Sequence, residues 1–295
     1  MKRIGSPRVG IQGERGAFSE LAVLSLFGAG ARIVPCAEFD GLFRAAETGR
    51  CRFALAPVEN TIAGSIHRVH DLLLASPLKV AGEAIIRVTH ALVALPGVRF
   101  RDVRRVYSHP VALAQCERFF RRNPRLVRVA TYDTAGSVRL LREERARDGA
   151  AIASELAARL YGARILKRGL EDHRANFTRF FLLSRDGRPL GPPDKTSILF
   201  ATRHVPGALF RCMGVFALRD INLLKIESRP MRGRPWEYVF HVDFDGSPRE
   251  DKVRNALRHL AEVCDFVRVL GSYPRARTPR VRAPVSAPPR GGAAS

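Results

Sequence analysis

A chain of 295 residues with 46% hydrophobic content is long enough for two domains, each with its own core. Its formal charge of +22 points to nucleic acid, a membrane surface or anionic ligands, yet the excess is 44 Arg against 6 Lys, as codon bias in a GC-rich genome produces. The basic residues are spread out, clustering only at RDVRR (101–105) and RRNPR (121–125). With no aromatic interleaving, zinc-finger spacing or heptad extension, nucleic acid is not expected, and an anionic small molecule fits the charge.

In chain order, RVGIQG reads as a strand, GAFSELAVLSLFG as a helix, RIVPCA as a strand, EFDGLFRAAETG as a helix and FALAPVEN as a third strand. That alternation predicts a mostly parallel sheet with covering helices. KVAGEAIIRVTHALVALPG (79–97) is β-branched and breaker-free until Pro96, and reads as one strand crossing to a second α/β lobe. The pattern resumes with VRRVYSH, a helix PVALAQCERFF opened by Pro110, RLVRVA, a helix from TAGSVRLL, GAAIAS and SELAARLYG. The chain then returns through 170–184. Lobe 1 is expected at about 8–85 plus 170–185 and lobe 2 at about 86–169, with a cleft between them. DGRPLGPPD (186–194) reads as a linker. Residues 195–273 follow as βαββαβ, the ferredoxin-like order. The Pro- and Arg-rich tail 274–295 is expected to be disordered.

No apolar run approaches a membrane span, and MKRIGSPRVG leads into a strand rather than a signal peptide, so no membrane association and a cytoplasmic location are expected. Cys36, Cys51, Cys116, Cys212 and Cys264 have neither CxxC spacing nor a histidine at ligand spacing, and read as reduced thiols. His67 and His70 lie three apart on one helix without an acidic or cysteine partner, so no metal is expected.

Ligands of open α/β sheets sit beyond the carboxyl ends of the strands. Those ends carry GERGAFSE (13–20), ENTIAGS (59–65), Ser108-His109-Pro110 with Gln115 two turns on, and Asp133-Thr134-Ala135-Gly136-Ser137. Several helix N-termini facing one cleft suit a carboxylate. Ser108 reads as a helix cap, and GxxG with Ser19 lacks dinucleotide or P-loop spacing. Glu59-Asn60, ending an apolar strand, carries a desolvation cost unless paired or used. RANFTRFF (174–181) sets Thr178 and Arg179 inside an apolar run. Alternation puts Phe177 and Arg179 on one side and Thr178 and Phe180 on the other; the plain alternative is an edge strand whose threonine serves β-propensity.

GERGAFSE, PVENTIAGSIHRVHDLL, SHPVALAQC, NFTRF, the GALF helix start and KIESRP occur in the order of the prephenate dehydratases with a C-terminal ACT regulatory domain, and the resemblance covers about residues 8–273. It implies a two-lobed catalytic domain like periplasmic ligand-binding proteins (8–185) and an ACT domain at 195–273. It also implies a hydro-lyase taking prephenate to phenylpyruvate without cofactor, inhibited by phenylalanine. Residue by residue, it implies Thr178, Glu59, Asn60, Ser108 and Gln115 as catalytic. Ser19, Thr61, Gly64, Arg179 and Phe180 would bind substrate, and Gly207, Ala208, Leu209, Asn222, Glu227, Ser228, Arg229 and Pro230 would bind phenylalanine. Thr178 is expected to donate a hydrogen bond to the leaving oxygen, with Glu59 or a water as proton source. Arg179 is expected to anchor the lobe interface or carry substrate charge. Thr61, Ala63 and Val111 depart from the commoner Ser, Glu and Gln, which bears on fine specificity. The chain also resembles arogenate dehydratases, so arogenate is an alternative substrate. A homodimer or homotetramer through the ACT domains is expected, since an isolated βαββαβ unit leaves one sheet face uncovered. The alternatives of another class are a non-catalytic amino-acid- or solute-binding protein and a nucleic-acid binder.

Overall fold

The computed structural model describes residues 6–202, 205–231, 233 and 236–280. Lobe 1 opens with β1 (Arg8–Gln12), α1 (Phe18–Phe27), β2 (Arg32–Cys36), α2 (Phe39–Glu47) and β3 (Phe53–Asn60), with β1 parallel to both β2 and β3. A short β4 (Gly64–Ser65) folds back on β3, and α3 (His67–Ala75) leads to β5 (Lys79–Arg87). The run 79–97 is not one strand: β5 ends in lobe 1 and β6 (Ala91–Ala94) starts lobe 2. No Gly or Pro marks this break. The returning segment makes it, since Val88 donates its N–H to Asn176 O (2.8 Å) and His90 donates its N–H to Glu171 Oε2 (2.9 Å).

Lobe 2 continues with β7 (Arg105–Ser108), α4 (Pro110–Ala114), α5 (Glu117–Arg121), β8 (Val127–Ala130), α6 (Thr134–Glu143), β9 (Gly149–Ala153), α7 (Glu155–Leu160) and β10 (Arg164–Arg168). Its sheet order is β10-β6-β9-β7-β8. The helix expected over PVALAQCERFF splits at Gln115–Cys116, and the Asp172 carboxylate accepts from the freed N–H groups of Glu117 (2.8 Å) and Arg118 (3.0 Å). β11 (Phe177–Ser184) then returns to lobe 1 between β3 and β5, antiparallel to both. The strand holding Thr178 is therefore central, which overturns the edge-strand reading.

The last domain is β12 (Lys195–Thr202), α8 (Ala208–Ala217), β13 (Leu223–Pro230), β14 (Tyr238–Asp245), α9 (Asp251–Val263) and β15 (Cys264–Tyr273), an antiparallel sheet in the order β13-β14-β12-β15. Ile198, Phe200, Val242 and Phe244 face Val215, Phe216, Val253 and Leu260 of its two helices. The other sheet face was expected to be free for a second copy. Instead it packs on lobe 1, where Leu199, Val239, Leu270 and Tyr273 share a core with Val58, Val80, Phe181 and Leu183. Gly271 makes this approach possible, because a Cβ there would stand 2.1 Å from Val80 O. The linker is pinned too, with Leu190 donating its N–H to Ala81 O at 3.0 Å. The tail expected to be disordered from Pro274 is ordered at its start, where Arg275 N–H reaches Asp194 Oδ1 (2.6 Å) and Ala276 N–H reaches Glu83 Oε1 (2.9 Å). Residues 281–295 lie outside the described residues.

Between the two sheets lies a buried ionic cluster. Arg179 Nε donates to Glu83 Oε2 (2.7 Å), its other nitrogens reach Asp243 Oδ2 (2.5 Å) and Tyr273 OH (3.2 Å), and Lys195 Nζ donates to Glu83 Oε2 (3.0 Å). The two cations and two carboxylates of this cluster balance one another. Burial opposes the charge on Arg179, but Asp243, Tyr273 and Glu83 outweigh it and hold the guanidinium protonated. Beside the cluster, His70 and His241 meet at 3.1 Å through their Nδ1 atoms, with His70 Nε2 3.2 Å from Val58 O. A carbonyl only accepts, so His70 carries its proton on Nε2 and His241 Nδ1–H donates to His70. From β15, Arg268 NH1 donates to Leu74 O at 3.1 Å, satisfying a C-terminal carbonyl of α3.

Removing one partner from a balanced buried cluster leaves a charge unpaired, so Asp243→Asn should lower unfolding stability by about 3–5 kcal/mol. The shift of the urea midpoint measures this, and an unchanged midpoint would contradict it. Burial and the adjacent His70 push His241 down to about 3, and burial lowers His70 as well. The folded chain thus keeps both neutral where the unfolded chain protonates them. Stability is complete above about pH 6.5 and falls as pH drops, by up to about 1.4 kcal/mol per pH unit for His241, with His70 adding in the same direction. Melts from pH 7 to 5 should show that fall, and His241→Asn should make it shallower.

Candidate active site

The cleft lies at the carboxyl ends of β1 and β3 and the start of β11, facing the ends of β7, β8 and β9. Loop 13–17 closes one side of it. Glu20, buried at 3% exposure, accepts from Arg15 Nε (2.9 Å) and Gly16 N–H (2.7 Å), which curls the loop. Ser154, the cap of α7, accepts from Ala157 N–H (3.0 Å) and donates to Gly16 O (2.5 Å), joining the lobes. A Cβ at Gly16, whose φ is +85°, would stand 2.7 Å from Ala157 Cα, so only glycine fits. Across the cleft, Asp133 caps α6 as expected, its Oδ1 accepting from Gly136 N–H at 2.7 Å.

A directional hydrogen-bond chain forms the floor. Asn60 Nδ2 stands within donating distance of Asn176 Oδ1 (2.8 Å), Thr178 Oγ1 (3.0 Å) and Phe177 O (3.1 Å), while Asn60 Oδ1 accepts from the N–H groups of Ile62 (3.0 Å) and Ala63 (2.8 Å). Asn176 is fully buried, and its Nδ2 donates to Gln115 Oε1 at 2.9 Å. Thr61 Oγ1 closes the turn by donating to Ala175 O (2.9 Å) and accepting from Phe177 N–H (3.0 Å). Because Thr178 Oγ1 already accepts from Asn60, its own proton is free to point into the cleft. Thr178, Asn60, Thr61 and Gln115 are thus brought together, with Gly64 directly opposite Asn60 at the strand end. Ser19 lies buried on α1, beside Glu20.

Four expectations are corrected. Glu59 pairs with Arg179 and faces the C-terminal domain, 3.0 Å from Lys225 Nζ, so it sits behind the sheet and cannot deliver a proton beside Thr178. Arg179 itself is in the ionic cluster that joins lobe 1 to the C-terminal domain, so it neither anchors the interface between the lobes nor carries substrate charge. Phe180 belongs to the lobe 1 core with Val9, Ile11 and Leu55, at 2% exposure. Ser108 is neither cap nor free hydroxyl: fully buried, it donates to Ile152 O at 2.6 Å, and His109 is the cap of α4.

In the C-terminal domain, Gly207 at φ +74° precedes α8, with Ala208 and Leu209 in its first turn, and Asn222 Nδ2 donates to Asp245 Oδ2 at 3.2 Å. Glu227 and Arg229 point at lobe 1 instead of outward: Ser65 Oγ donates to Glu227 Oε2, and Arg229 stands 3.3 Å from Asp71. Ser228 and Pro230, on the other face of β13, are exposed. Glu227 is also the acidic neighbour that His67 and His70 were expected to lack, at 3.8 and 3.7 Å. Among the described residues no group of three potential metal ligands forms, and no helix is long and apolar enough to cross a membrane.

Residues that the sequence reading missed complete the site. Asn176 sits in the RANFTRFF run but lacks any signal separating it from a turn asparagine. His90, in the expected crossing strand, reaches Gln115 Oε1 with its Nε2 at 2.9 Å.

Residues 9–188 match the family model described as prephenate dehydratase. Among curated relatives, the arogenate dehydratase/prephenate dehydratase 2 of Arabidopsis thaliana is 46% identical over 280 residues, spanning 90% of this chain and 72% of that one. The crystal structure of the Arthrobacter aurescens prephenate dehydratase in complex with L-Phe aligns with a TM-score of 0.84 at 33% identity, covering 93% of each chain. GqqA, described as a novel type of quorum-quenching acylase, aligns with a TM-score of 0.83 at 35% identity, covering 90% of this chain and 97% of its own. With its family model spanning both lobes around the Thr178 cleft, this chain belongs to the prephenate dehydratase family.

Proposed function

We infer that the chain converts prephenate to phenylpyruvate, a decarboxylative dehydration of phenylalanine biosynthesis. The observation that carries this reading is the donor polarity at Thr178, whose hydroxyl accepts from Asn60 and keeps its proton for the cleft. In the reaction the bond to the ring carboxylate breaks and releases carbon dioxide. Its electron pair enters the ring, and the bond to the 4-oxygen breaks. The oxygen leaves as water after gaining one proton, and aromatisation supplies the driving force. The protein must stabilise charge growing on that oxygen and hold the side-chain carboxylate. Thr178 is too weak an acid to give up its proton, so it acts as a fixed hydrogen-bond donor. With Glu59 behind the sheet, the proton comes from water. Gln115 Nε2 makes no hydrogen bond within the described chain and is available to a substrate oxygen. The α6 N-terminus across the cleft favours the anion.

Arogenate, which carries an amino group where prephenate has the keto group, is the alternative substrate, supported by the dual name of the Arabidopsis relative. The acylase named for GqqA needs an activated nucleophile. Among the described residues no histidine or carboxylate hydrogen-bonds Thr178 Oγ1, which favours the dehydratase reading. A non-catalytic binding protein has no need of a protected donor.

The C-terminal domain is read as an ACT domain that binds phenylalanine, supported by the phenylalanine complex of the Arthrobacter relative. The first turn of α8 offers backbone N–H groups for the effector carboxylate beside Gly207. Since Glu227 and Arg229 are engaged with lobe 1, the effector would move the domain interface by competing for them. A homodimer or homotetramer is supported by Phe210 and Leu218, 80% and 83% exposed on this domain. Five buried free thiols are consistent with a reducing, cytoplasmic compartment.

Incubation with prephenate, with arogenate in parallel, tests the activity directly. Thr178→Ala should lower kcat by about 10²-fold or more with unchanged melting, and near-wild-type turnover would contradict the assignment. Gly207→Val, which strains a backbone at φ +74° and crowds the α8 N-terminus, should keep turnover but lose inhibition by phenylalanine. Inhibition curves of the two proteins that superimpose would place the effector elsewhere.

A further inference from the structure

His90 lies 2% exposed on the segment that crosses between the lobes, and nothing in the reaction as described uses it. Its backbone is tied to the returning segment by its N–H to Glu171 Oε2 (2.9 Å) and by Leu170 N–H to its carbonyl (3.0 Å). Its ring stands edge-on to Phe18 of α1 at 5.6 Å. Nε2 meets Gln115 Oε1 at 2.9 Å, and because an amide oxygen only accepts, the proton is on Nε2. Nδ1 is left buried without a hydrogen-bond partner among the described residues. Burial lowers the basicity of the ring, so it stays neutral and that lone pair stays unanswered. An apolar side chain would avoid this cost, so the placement makes sense only through what Nε2–H does.

Gln115 Oε1 accepts twice, from His90 and from Asn176 Nδ2 at 2.9 Å. An amide can turn over about its last bond, exchanging oxygen for nitrogen. The turned amide would press its N–H against Asn176 Nδ2, which stays a donor because Asn176 Oδ1 is committed to Asn60, and His90 could accept from it only by moving its proton to the buried Nδ1, which has no acceptor among the described residues. We propose that His90 is a positioning residue of the active site: with Asn176 it locks the Gln115 amide so that Nε2, a donor, meets the anionic substrate. Without His90 only Asn176 holds the orientation, and the turned amide would present its oxygen to substrate oxygens. The chain is anchored at its other end, where the Ile62 and Ala63 N–H groups hold Asn60 Oδ1 so that Asn60 Nδ2 serves Thr178 and Asn176, and His90 completes the order at Gln115. The inference rests on the dehydratase reading of the Thr178 cleft.

The test compares prephenate kinetics of wild type, His90→Gln, which keeps an N–H donor, and His90→Leu, which does not, with melting curves for each. Loss of a buried hydrogen bond to an amide predicts a fall in kcat/KM on the order of 10-fold to 100-fold for His90→Leu. Most of it should be recovered in His90→Gln. In a Gln115→Met background, where there is no amide to orient, His90→Leu should cost less than 2-fold more, by the logic of a double-mutant cycle, roughly the scatter of such measurements. An equal cost in both backgrounds, or equal damage from Gln and Leu in proteins that melt like wild type, overturns the proposal. If His90→Leu does not fold, His90→Phe takes its place; failure of both while His90→Gln folds assigns His90 to structure alone and also overturns it. Thr178→Ala is the control. Full turnover there refutes the cleft itself, whereas its loss with normal His90→Leu kinetics refutes only the role of His90.

Discussion

The four-charge cluster around Arg179 is the constraint on which the rest of the structure depends. A guanidinium at 11% side-chain exposure must have its partners in place, and those partners, Glu83, Asp243 and Tyr273, come from β5, β14 and β15, far apart in the chain. Sliding β11 by one residue would carry Arg179 to the opposite face and leave Glu83 and Asp243 facing each other with Lys195 alone. The cluster therefore fixes the register of β11. Thr178, one residue earlier, inherits that fixed position on the cleft face. One strand thus carries chemistry on one side and the joint to the C-terminal domain on the other, and this is why a hydroxyl and a guanidinium stand together in an apolar run.

The cleft face is organised by direction as much as by distance. The amide oxygens of Asn60, Asn176 and Gln115 are all taken up by backbone, side-chain amide or imidazole N–H groups, so the surplus donors, Thr178 Oγ–H and Gln115 Nε2, are left for the substrate. An anionic substrate with a departing oxygen needs donors, and the arrangement costs no reorganisation when charge develops. The break between α4 and α5 serves the same end. It frees the Gln115 carbonyl, which accepts from Asp172 N–H at 2.8 Å, and ties the returning segment next to the site.

Much of this was legible beforehand, and what was not has physical causes. The β/α alternation, the second crossing near 170 and the βαββαβ order follow from apolar periodicity and Gly/Pro breaks, and the structure has them. The faces of Glu59 and Asn60 do not follow from alternation. Regular counting from Leu55 puts Glu59 on the cleft side. An irregularity in the β3–β11 register, with Arg179 opposite Glu59 but Phe180 opposite Pro57, adds Val58 as an extra residue and inverts the two. Ser108 misled because a buried strand-end hydroxyl and a cap look alike until the neighbouring strand supplies Ile152 O. β10 offered only Ile165 and Leu166 between charged residues, enough for an exposed edge but not for recognition. The partnership of Arg179 with Asp243 joins residues whose pairing only the docked domains reveal, and its strength is invisible in either local run.

The central claim is that substrate meets the Thr178 face of β11 while the Arg179 face belongs to the domain joint. A crystal structure with an unreactive prephenate analogue tests it most directly. The account predicts the analogue's ring oxygen about 2.6–3.0 Å from Thr178 Oγ, with Asn60 still donating to that hydroxyl and Arg179 still bound to Glu83 and Asp243. An analogue held by Arg179 or Glu59 on the opposite face of the sheet would contradict it.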